Sequence, residues 1–431
     1  MTTRAELVIC GAGIAGVAAA YHLAVRQGIR NVVLVDERDP LTLTSDKGTQ
    51  GYRNWWPGPD DTMLRFVSRS IDLFEEIADE TNNLLRLNRR GYLFATAEDD
   101  GVDRLRTTAR QVSSFGMGAL REHSEPDAYA AALAEGYRAQ PIGADLLLGD
   151  EPLRAFPFLS PTTKAALHVR RAGWMNAVAL GAWMMTQAVA AGVSFVRDGV
   201  SAIDTAGGRV SRVRLASGAS IDTNRVVLAT GPMLPETGRL LGIDLPLFHE
   251  LHAKVTFPDT LGVIPRSSPF TIWIDGVEEL PGGVHVRPID GPRGNELMFI
   301  WTYHTERCQA VWPPPYDPRY GETCLRGLAA MAPSMSAYVG GTELGVVDGG
   351  YYCKTTDNRP LVGPLPVDGA FIIGGLSGTG IMTSQSAAEL LAAHVTQGAL
   401  PSWSNAFLPS RYDDAAYVSQ ALRAGALTGQ L

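Results

Sequence analysis

The sequence predicts an α/β protein (α+β overall), in which a Rossmann-like dinucleotide-binding domain carries an inserted, mainly antiparallel β-sheet domain. Three observations predict this fold. Residues 7–36 follow the order strand, glycine turn, helix, strand and acidic residue. Apolar runs that end in glycine recur at 225–232 and 371–375, and strand-like segments separated by Pro and Gly dominate 246–345. Strand–helix–strand units favour a parallel sheet, whereas successive strands favour an antiparallel one.

The N-terminal segment has the layout that holds the ADP half of a dinucleotide. It consists of an apolar strand, Leu7–Cys10, a glycine turn, a helix-forming stretch, Val17–Val25, and a second apolar run, Val32–Val35. Gly11 permits the tight turn, Gly13 lets a pyrophosphate approach the backbone, and Gly16 lets the helix pack closely on the strand. The helix N-terminus offers N–H groups to phosphates. Asp36 follows Gly16 by 20 residues, where a carboxylate can accept a ribose hydroxyl.

Composition excludes several classes of protein. At 431 residues the chain is long enough for two or three domains. Lys and Arg total 37 against 45 Asp and Glu, a net charge of −8 with scattered basic residues, so we expect no nucleic-acid partner. Apolar runs fall short of the ~20 residues of a membrane span, and the N-terminus enters the first strand without room for a signal peptide. Four separated cysteines without a CxxC indicate neither a redox dithiol nor zinc, so we expect a cytoplasmic protein with reduced thiols.

The pattern along the chain predicts a discontinuous dinucleotide-binding domain. It comprises residues 1–90, 151–245 and 346–431, and the substrate-binding domain comprises 91–150 and 246–345. Residues 98–150 are polar and alanine-rich, which indicates a peripheral helical segment, and the last thirty residues form a polar surface tail. The other predicted elements are helices at 62–82, 178–191 and 382–395, strands at 91–94, 192–195, 225–232 and 371–375, and a pair of strands within 200–215 joined by the turn at 206–208.

Two later segments complete a recognisable pattern. They are the turn Ala229–Gly231 and the stretch Asp357–Pro364 with the glycine-rich Gly374–Gly380 after it. With the N-terminal motif, in this order, they resemble the D-amino acid oxidase and glycine/sarcosine oxidase family of FAD enzymes over almost the whole chain. There is no second nucleotide fingerprint and no redox cysteine pair, so the substrate is expected to supply the electrons.

The resemblance implies an extended FAD in a Rossmann-like FAD-binding domain. Its ADP half would contact Gly11, Gly13, Gly16 and Asp36, and Val200 would meet the adenine. The loop Ser45–Gly51, with Lys47 and Gly48, would pass near the isoalloxazine. The remaining FAD contacts implied by the resemblance are Thr230, Gly231, Gly375, Gly378, Thr379, Gly380 and Ile381. Backbone N–H groups of such a glycine turn can stabilise the charge that a flavin gains on reduction.

Departures from the family pattern concern the substrate. His304 falls on a histidine that lines the pocket of sarcosine oxidases, so His304 and Tyr352 are the candidate catalytic residues; strand packing is the alternative role for both. Ile300 stands where those enzymes keep a lysine that promotes reaction with oxygen. The cations that would hold a substrate carboxylate are replaced by Met382, Asn54 and, relative to glycine oxidases, Tyr352. Four cations elsewhere could substitute: Lys47, Arg53, Lys354 and Arg359.

The resemblance therefore implies oxidation of a C–N bond in a secondary amine or amino-acid-derived metabolite to an imine, by hydride transfer to flavin N5. Two alternatives remain open, a 2-hydroxy acid dehydrogenase or oxidase and a non-catalytic flavin-binding subunit. The acceptor is oxygen or a quinone or other carrier, and Ile300 favours the latter. FAD is expected to be non-covalent, because Gly350 stands where some sarcosine-type enzymes attach it to a cysteine and Cys353 lies three residues away.

Two further groups of residues suggest other roles. Trp55, Trp56, Trp273 and Trp301 would indicate a bulky or aromatic substrate if two or more lined the pocket, although core packing is the commoner role. The sequence His249-Glu250-Leu251-His252 lacks HExxH spacing, and on a strand its histidines would point to opposite faces. We therefore predict no metal site.

Overall fold

The computed structural model describes residues 2–124, 129–133, 135–291, 294–343 and 345–424. Over these residues the chain forms 22 strands and ten α-helices. The strands are β1 Thr2–Arg4, β2 Leu7–Cys10, β3 Val32–Asp36, β4 Gly51–Arg53, β5 Tyr92–Thr96, β6 Leu120–His123, β7 Ala144–Leu148, β8 Ala165–Val169, β9 Ala172–Trp174, β10 Ser194–Arg197, β11 Val200–Ala206, β12 Arg209–Leu215, β13 Ser220–Asp222, β14 Val226–Leu228, β15 Phe248–Pro258, β16 Phe270–Trp273, β17 Val284–Gly291, β18 Gly294–Trp301, β19 Arg307–Cys308, β20 Val346–Lys354, β21 Leu361–Pro364 and β22 Ala370–Gly374. The helices are α1 Ile14–Tyr21, α2 Thr44–Lys47, α3 Thr62–Glu80, α4 Asp99–Val112, α5 Glu151–Ala155, α6 Ala177–Ala190, α7 Leu234–Arg239, α8 Tyr320–Met331, α9 Gly380–Thr396 and α10 Ala415–Ala424.

A six-stranded sheet forms the centre of the dinucleotide-binding part. Its order is β10-β3-β2-β14-β22-β21, and all pairs are parallel except the last. The four residues of β2 are buried, which is typical of parallel strands covered on both faces. Helices α1, α3, α6 and α9 pack together against this sheet. The predicted parallel strands and the strand pair β11–β12 are confirmed.

A ten-stranded sheet forms the second layer. Nine of its strands follow the order β19-β15-β18-β17-β16-β5-β8-β7-β6, and the tenth strand, β20, also pairs with β15. The antiparallel pairing of β15, β16, β17 and β18 confirms the pattern predicted for 246–345. One face packs Val255, Phe257 and Phe299 against α8. The other face contributes Tyr92 and Phe270 to the core shared with the six-stranded sheet.

The helical segment predicted for 98–150 is only partly correct. Helix α4 is present, but β6 and β7 pair in parallel and extend the large sheet to its edge. The sequence pattern did not predict a strand here, because β6 is a polar edge strand in which only His123 is buried. Residues 125–128 and 134 of this segment lie outside the described residues.

Two strands connect the domains predicted from sequence. Strands β8 and β20 belong to the ten-stranded sheet, although the predicted boundaries assign their residues to the dinucleotide-binding domain. The predicted C-terminal tail forms short helical turns and α10, and it is anchored where Arg411, Tyr412 and Tyr417 all bind Asp357. Residues 425–431 lie outside the described residues. Among the helices that are described, none is long and apolar enough to cross a membrane.

Candidate active site

Three glycine turns meet at one edge of the six-stranded sheet. Cys10, Leu228 and Ile372 are side by side in register on the parallel strands β2, β14 and β22. The turns that follow these strands, together with the end of β3, line a cavity of about 370 Å³. Ligands of open α/β sheets bind outside the carboxyl ends of the strands, so this cavity is the candidate cofactor site.

The first turn has room only for glycine at two of its positions. Gly11 has φ +106°, and a Cβ on it would lie 2.5 Å from the carbonyl oxygen of Ala229. A Cβ on Gly16 would lie 1.8 Å from the carbonyl oxygen of Gly11, so α1 packs directly against the turn. Around Gly13 the only close atom is Ser45 Oγ, 3.3 Å from the Cβ position. Gly13 therefore opens its backbone to the cavity.

Two side chains organise the start of α1. Asp36 accepts hydrogen bonds from the N–H groups of Ala12 (2.7 Å) and Arg38 (2.9 Å). Ser45 Oγ accepts from the N–H of Ile14 at 2.9 Å. The first turn of α1 contains no acidic residue, so its positive end is available to an anion. These features fit the pyrophosphate and ribose of a dinucleotide.

Most of the residues predicted to contact FAD line this one cavity. They are Gly11, Gly13, Asp36, Gly48, Val200, Thr230, Gly231, Gly375, Gly378, Gly380 and Ile381. Three others lie just behind its wall. Gly16 packs α1 against the turn, Thr379 Oγ1 donates to the Leu376 carbonyl at 2.9 Å, and Lys47 pairs with Asp46 (3.0 Å) and Asp348 (3.1 Å). Burial opposes the charge of Lys47, but its pairs with Asp46 and Asp348 raise its pKa.

Tyr352 lines the cavity beside the Gly378 turn. Its ring packs on the Gly378 turn so closely that a Cβ on Gly378 would lie 2.4 Å from Tyr352 Cε2. On its other side the ring stacks on His252, with centroids 4.0 Å apart and planes inclined by 26°. Burial, helped by the charge of Glu250, raises the pKa of Tyr352 to about 12. The hydroxyl therefore stays protonated at neutral pH.

Gly51 and Met382 belong to a second group of residues, which the sequence motifs did not place together. Gly51 and Met382 line the cavity, and Met382 Sδ accepts the N–H of Arg53 at 3.2 Å. Residues 51 and 53 of β4 share one face, and a Cβ on Gly51 would lie 1.9 Å from the hydroxyl of Tyr92. The Arg53 guanidinium lies 5.3 Å from the centre of the Tyr92 ring, with the side chain buried.

His285 belongs to the same wall. Its ring lies 5.3 Å from that of Phe270, which in turn approaches the Cβ position of Gly51 to 3.1 Å. One ring nitrogen, Nδ1, is 2.7 Å from the Gly283 carbonyl and donates to it. Burial, reinforced by the charge of Arg53, lowers the pKa of His285 to about 4. The imidazole is therefore neutral at pH 7, with its other nitrogen left as an acceptor.

His304, the histidine singled out from sequence, lies elsewhere. Strand β18 ends at Trp301, and the chain then leaves the sheet, so His304 is exposed in the following loop and does not line the cavity. Ile300 is buried within β18. None of the four tryptophans lines the cavity; Trp55 and Trp56 pack in one core, and Trp273 and Trp301 in the other.

The candidate substitute cations differ in their partners. Lys354 pairs with Glu250 at 2.9 Å, and Arg359 pairs with Asp60 at 2.7 Å. Lys47 is held by the two aspartates described above. The backbone N–H of Arg53 contacts Met382 in the cavity lining, and its guanidinium lies over the Tyr92 ring. No group of three or more metal-ligating side chains occurs within the described parts of the chain.

Comparisons with known proteins agree with this geometry. Residues 6–394 match the family described as DAO: FAD dependent oxidoreductase. Dimethylglycine dehydrogenase of Rattus norvegicus is 26% identical over 309 residues, covering 70% of this chain and 33% of that protein. The Mus musculus protein of the same name is 24% identical over 84% of this chain and 39% of its own length. The chain thus spans about a third of the length of these curated relatives.

Solved structures share the fold. L-proline dehydrogenase from P. horikoshii superimposes with a TM-score of 0.77 and 20% identity, covering 96% of this chain and 99% of that one. Iminodiacetate oxidase from Chelativorans sp. BNC1 gives 0.73 and 21%, with 94% and 98% covered. The family match extends over both sheets and includes all three glycine turns. The chain belongs to the DAO family of FAD dependent oxidoreductases, as the resemblance of its motifs implied, and FAD is its cofactor.

Proposed function

We propose that this enzyme oxidises a C–N bond in a secondary amine or amino-acid-derived metabolite to an imine. The observation that carries the proposal is the group formed by Arg53, Tyr92 and His285, which lies next to Gly51 and Met382 of the cavity lining without lining the cavity itself. It combines one cation, a neutral acceptor and aromatic surface. That combination suits a small amine that carries a carboxylate. Relatives named for dimethylglycine, L-proline and iminodiacetate support this substrate class.

FAD, when bound, accepts a hydride at N5. The protein's own residues position and desolvate the amine, which must be uncharged to release a hydride from its carbon. Arg53 binds the carboxylate, taking the place of the cations that Met382 and Asn54 replace. His285 is neutral at pH 7 and accepts a hydrogen bond from the amine. The buried Tyr92 and Phe270 rings exclude water beside it.

Anaerobic mixing with a panel of donors tests the proposal. Sarcosine, dimethylglycine, L-proline and iminodiacetate represent the amine class, and lactate and glycolate represent the 2-hydroxy acids. Loss of the flavin's visible absorbance with an amine, and not with the hydroxy acids, is the expected result. Bleaching by hydroxy acids alone would replace the proposal with oxidation of a C–O bond.

We further propose that FAD is held without a covalent bond. A Cβ on Gly350 would lie 3.1 Å from Thr44 Oγ1, and Cys353 is buried, with burial raising its thiol pKa to about 12. The thiol is therefore a poor nucleophile. After precipitation with acid, the yellow colour should remain in the supernatant; colour in the pellet would contradict non-covalent binding.

A further inference from the structure

We infer that Lys354, Glu250 and His252 form a buried positioning triad that holds the Tyr352 ring against the Gly378 turn of the FAD cavity. The three side chains lie on neighbouring strands β15 and β20 and expose at most 5% of their surface. None of the three lines the cavity itself. The triad therefore acts through Tyr352, which does line it.

The contacts within the triad are continuous. Lys354 Nζ donates to both carboxylate oxygens of Glu250, at 2.9 and 3.0 Å. His252 Nε2 donates to Glu250 Oε2 at 2.9 Å. Burial opposes ionisation of the carboxyl, yet the hydrogen bonds from His252 and Lys354 hold the pKa of Glu250 below its usual value. Burial also lowers the pKa of His252, so the triad contains one cation, one anion and one neutral ring.

Strand register explains how the triad reaches Tyr352. Glu250 is opposite Tyr352, and His252 is opposite Gly350. Because Gly350 has no side chain, the Tyr352 ring can lean diagonally across the strand pair and stack on His252. The hydrogen bond to Glu250 fixes the plane of the imidazole. Tyr352 is thus clamped between an oriented ring and the glycine turn, and a shift of His252 must move it.

A buried ion pair usually contributes little net stability, because the desolvation cost of the two charges offsets the attraction between them. Such a pair is informative when it orients other groups. Here the oriented group touches the Gly378 turn of the cavity lining, so the triad is expected to influence bound FAD through Tyr352. This inference rests on FAD in the cavity and does not depend on which substrate the enzyme oxidises.

Four variants of the holoenzyme test the inference. His252→Ala removes the stacked ring, His252→Phe keeps a ring but loses the hydrogen bond to Glu250, and Glu250→Gln removes the charge. Asp145→Asn is the matched control, because Asp145 is also a buried strand carboxylate bound by a histidine, His123 at 2.7 Å, but does not line the cavity. Three readouts need no substrate: the flavin visible spectrum, the FAD dissociation constant, and the oxidised-to-reduced equilibrium measured against a reference dye.

His252→Ala should alter the spectrum and weaken FAD binding at least tenfold, whereas His252→Phe, which keeps the stacked ring without its hydrogen bond to Glu250, should lie between wild type and His252→Ala. Glu250→Gln should shift the redox equilibrium at least tenfold toward reduced flavin, about 30 mV for a two-electron couple, because Lys354 is left without its counter-charge. Asp145→Asn should change neither property. Wild-type spectrum and affinity in His252→Ala, or equal losses in the Ala and Phe variants, would overturn the inference. If His252→Ala does not fold, an unshifted redox equilibrium in Glu250→Gln would overturn it.

Discussion

Replacing Gly13 with alanine should weaken FAD binding without weakening the fold. Gly13 has φ −69°, which an alanine adopts without strain. The added Cβ would meet Ser45 Oγ at 3.3 Å and no other atom beyond the adjacent residues within 4 Å. A glycine-to-alanine change at such a position stabilises the native state by about 0.4–1 kcal/mol, because it restricts the unfolded chain. The apoprotein should therefore melt at or slightly above the wild-type temperature.

The cost falls on the cofactor. The methyl group occupies space through which a pyrophosphate approaches the N–H groups at the start of α1. Loss of one hydrogen bond to a charged oxygen costs about 1.5–3 kcal/mol. Since 1.4 kcal/mol corresponds to a factor of ten, the FAD dissociation constant should rise about 10- to 100-fold.

Titration of apoprotein with FAD, followed by flavin fluorescence, measures this change, and circular dichroism gives the melting temperature. Gly398→Ala is the control, because its Cβ would meet nothing closer than 3.4 Å and it does not line the cavity. An FAD dissociation constant within threefold of wild type, or a lower melting temperature of the Gly13→Ala apoprotein, would refute the reasoning.

Four further experiments have distinct expected results. Gly16→Ala places a methyl group 1.8 Å from the Gly11 carbonyl oxygen, so urea unfolding of the apoprotein should show a loss of about 1–3 kcal/mol. If the proposed substrate class is correct, Arg53→Met should raise KM about tenfold for a carboxylate-bearing amine but not for its methyl ester, and Arg53→Lys should recover part of the loss. Asp357→Asn should cost about 3–5 kcal/mol, because it removes the buried partner of Arg411. Burial raises the pKa of Asp357, but the contacts with Arg411 outweigh this effect and hold the pKa below its usual range. The stabilisation from the ion pair is therefore present above the unfolded pKa of about 4 and disappears as the pH falls toward the folded value. Acid unfolding of both proteins measures this difference. With Ile300 in place of a lysine, stopped-flow mixing should show slow reoxidation by oxygen and faster reoxidation by a quinone or dye; rapid peroxide formation would contradict this.

The cofactor end of the site was readable from sequence because its determinants are local. Gly11, Gly13 and Gly16 lie within six residues: a side chain at Gly11 or Gly16 would clash with backbone atoms, and one at Gly13 would enter the cavity. Gly375–Ile381 is a second such turn, where a strand runs into a helix. Such turns follow a recurring local sequence pattern, so spacing is sufficient to predict them.

The proposed substrate-binding residues are brought together by contacts between distant parts of the chain. Tyr92 and Phe270 are opposite each other only because β5 and β16 pair in parallel, although they are far apart in the chain. Arg53 was one of four cations that the sequence could not rank, and His285 carried no local signal. His304 was chosen from an aligned segment, but alignment does not show where a loop leaves its sheet. Likewise, the polar edge strand β6 resembles a helix until its partner β7 is known.

The three strands that present the glycine turns end at residues 10, 228 and 374 of the chain. During synthesis the first turn emerges long before the last. The entropic cost of bringing these distant turns together must be met before contacts with the cofactor can offset it. FAD therefore meets a complete binding site only after residues near Ile381 have left the ribosome. Because a ligand stabilises only the state that binds it, riboflavin shortage should act on chains already extended past Ile381, and expose them to proteolysis rather than slow the folding of the first turn.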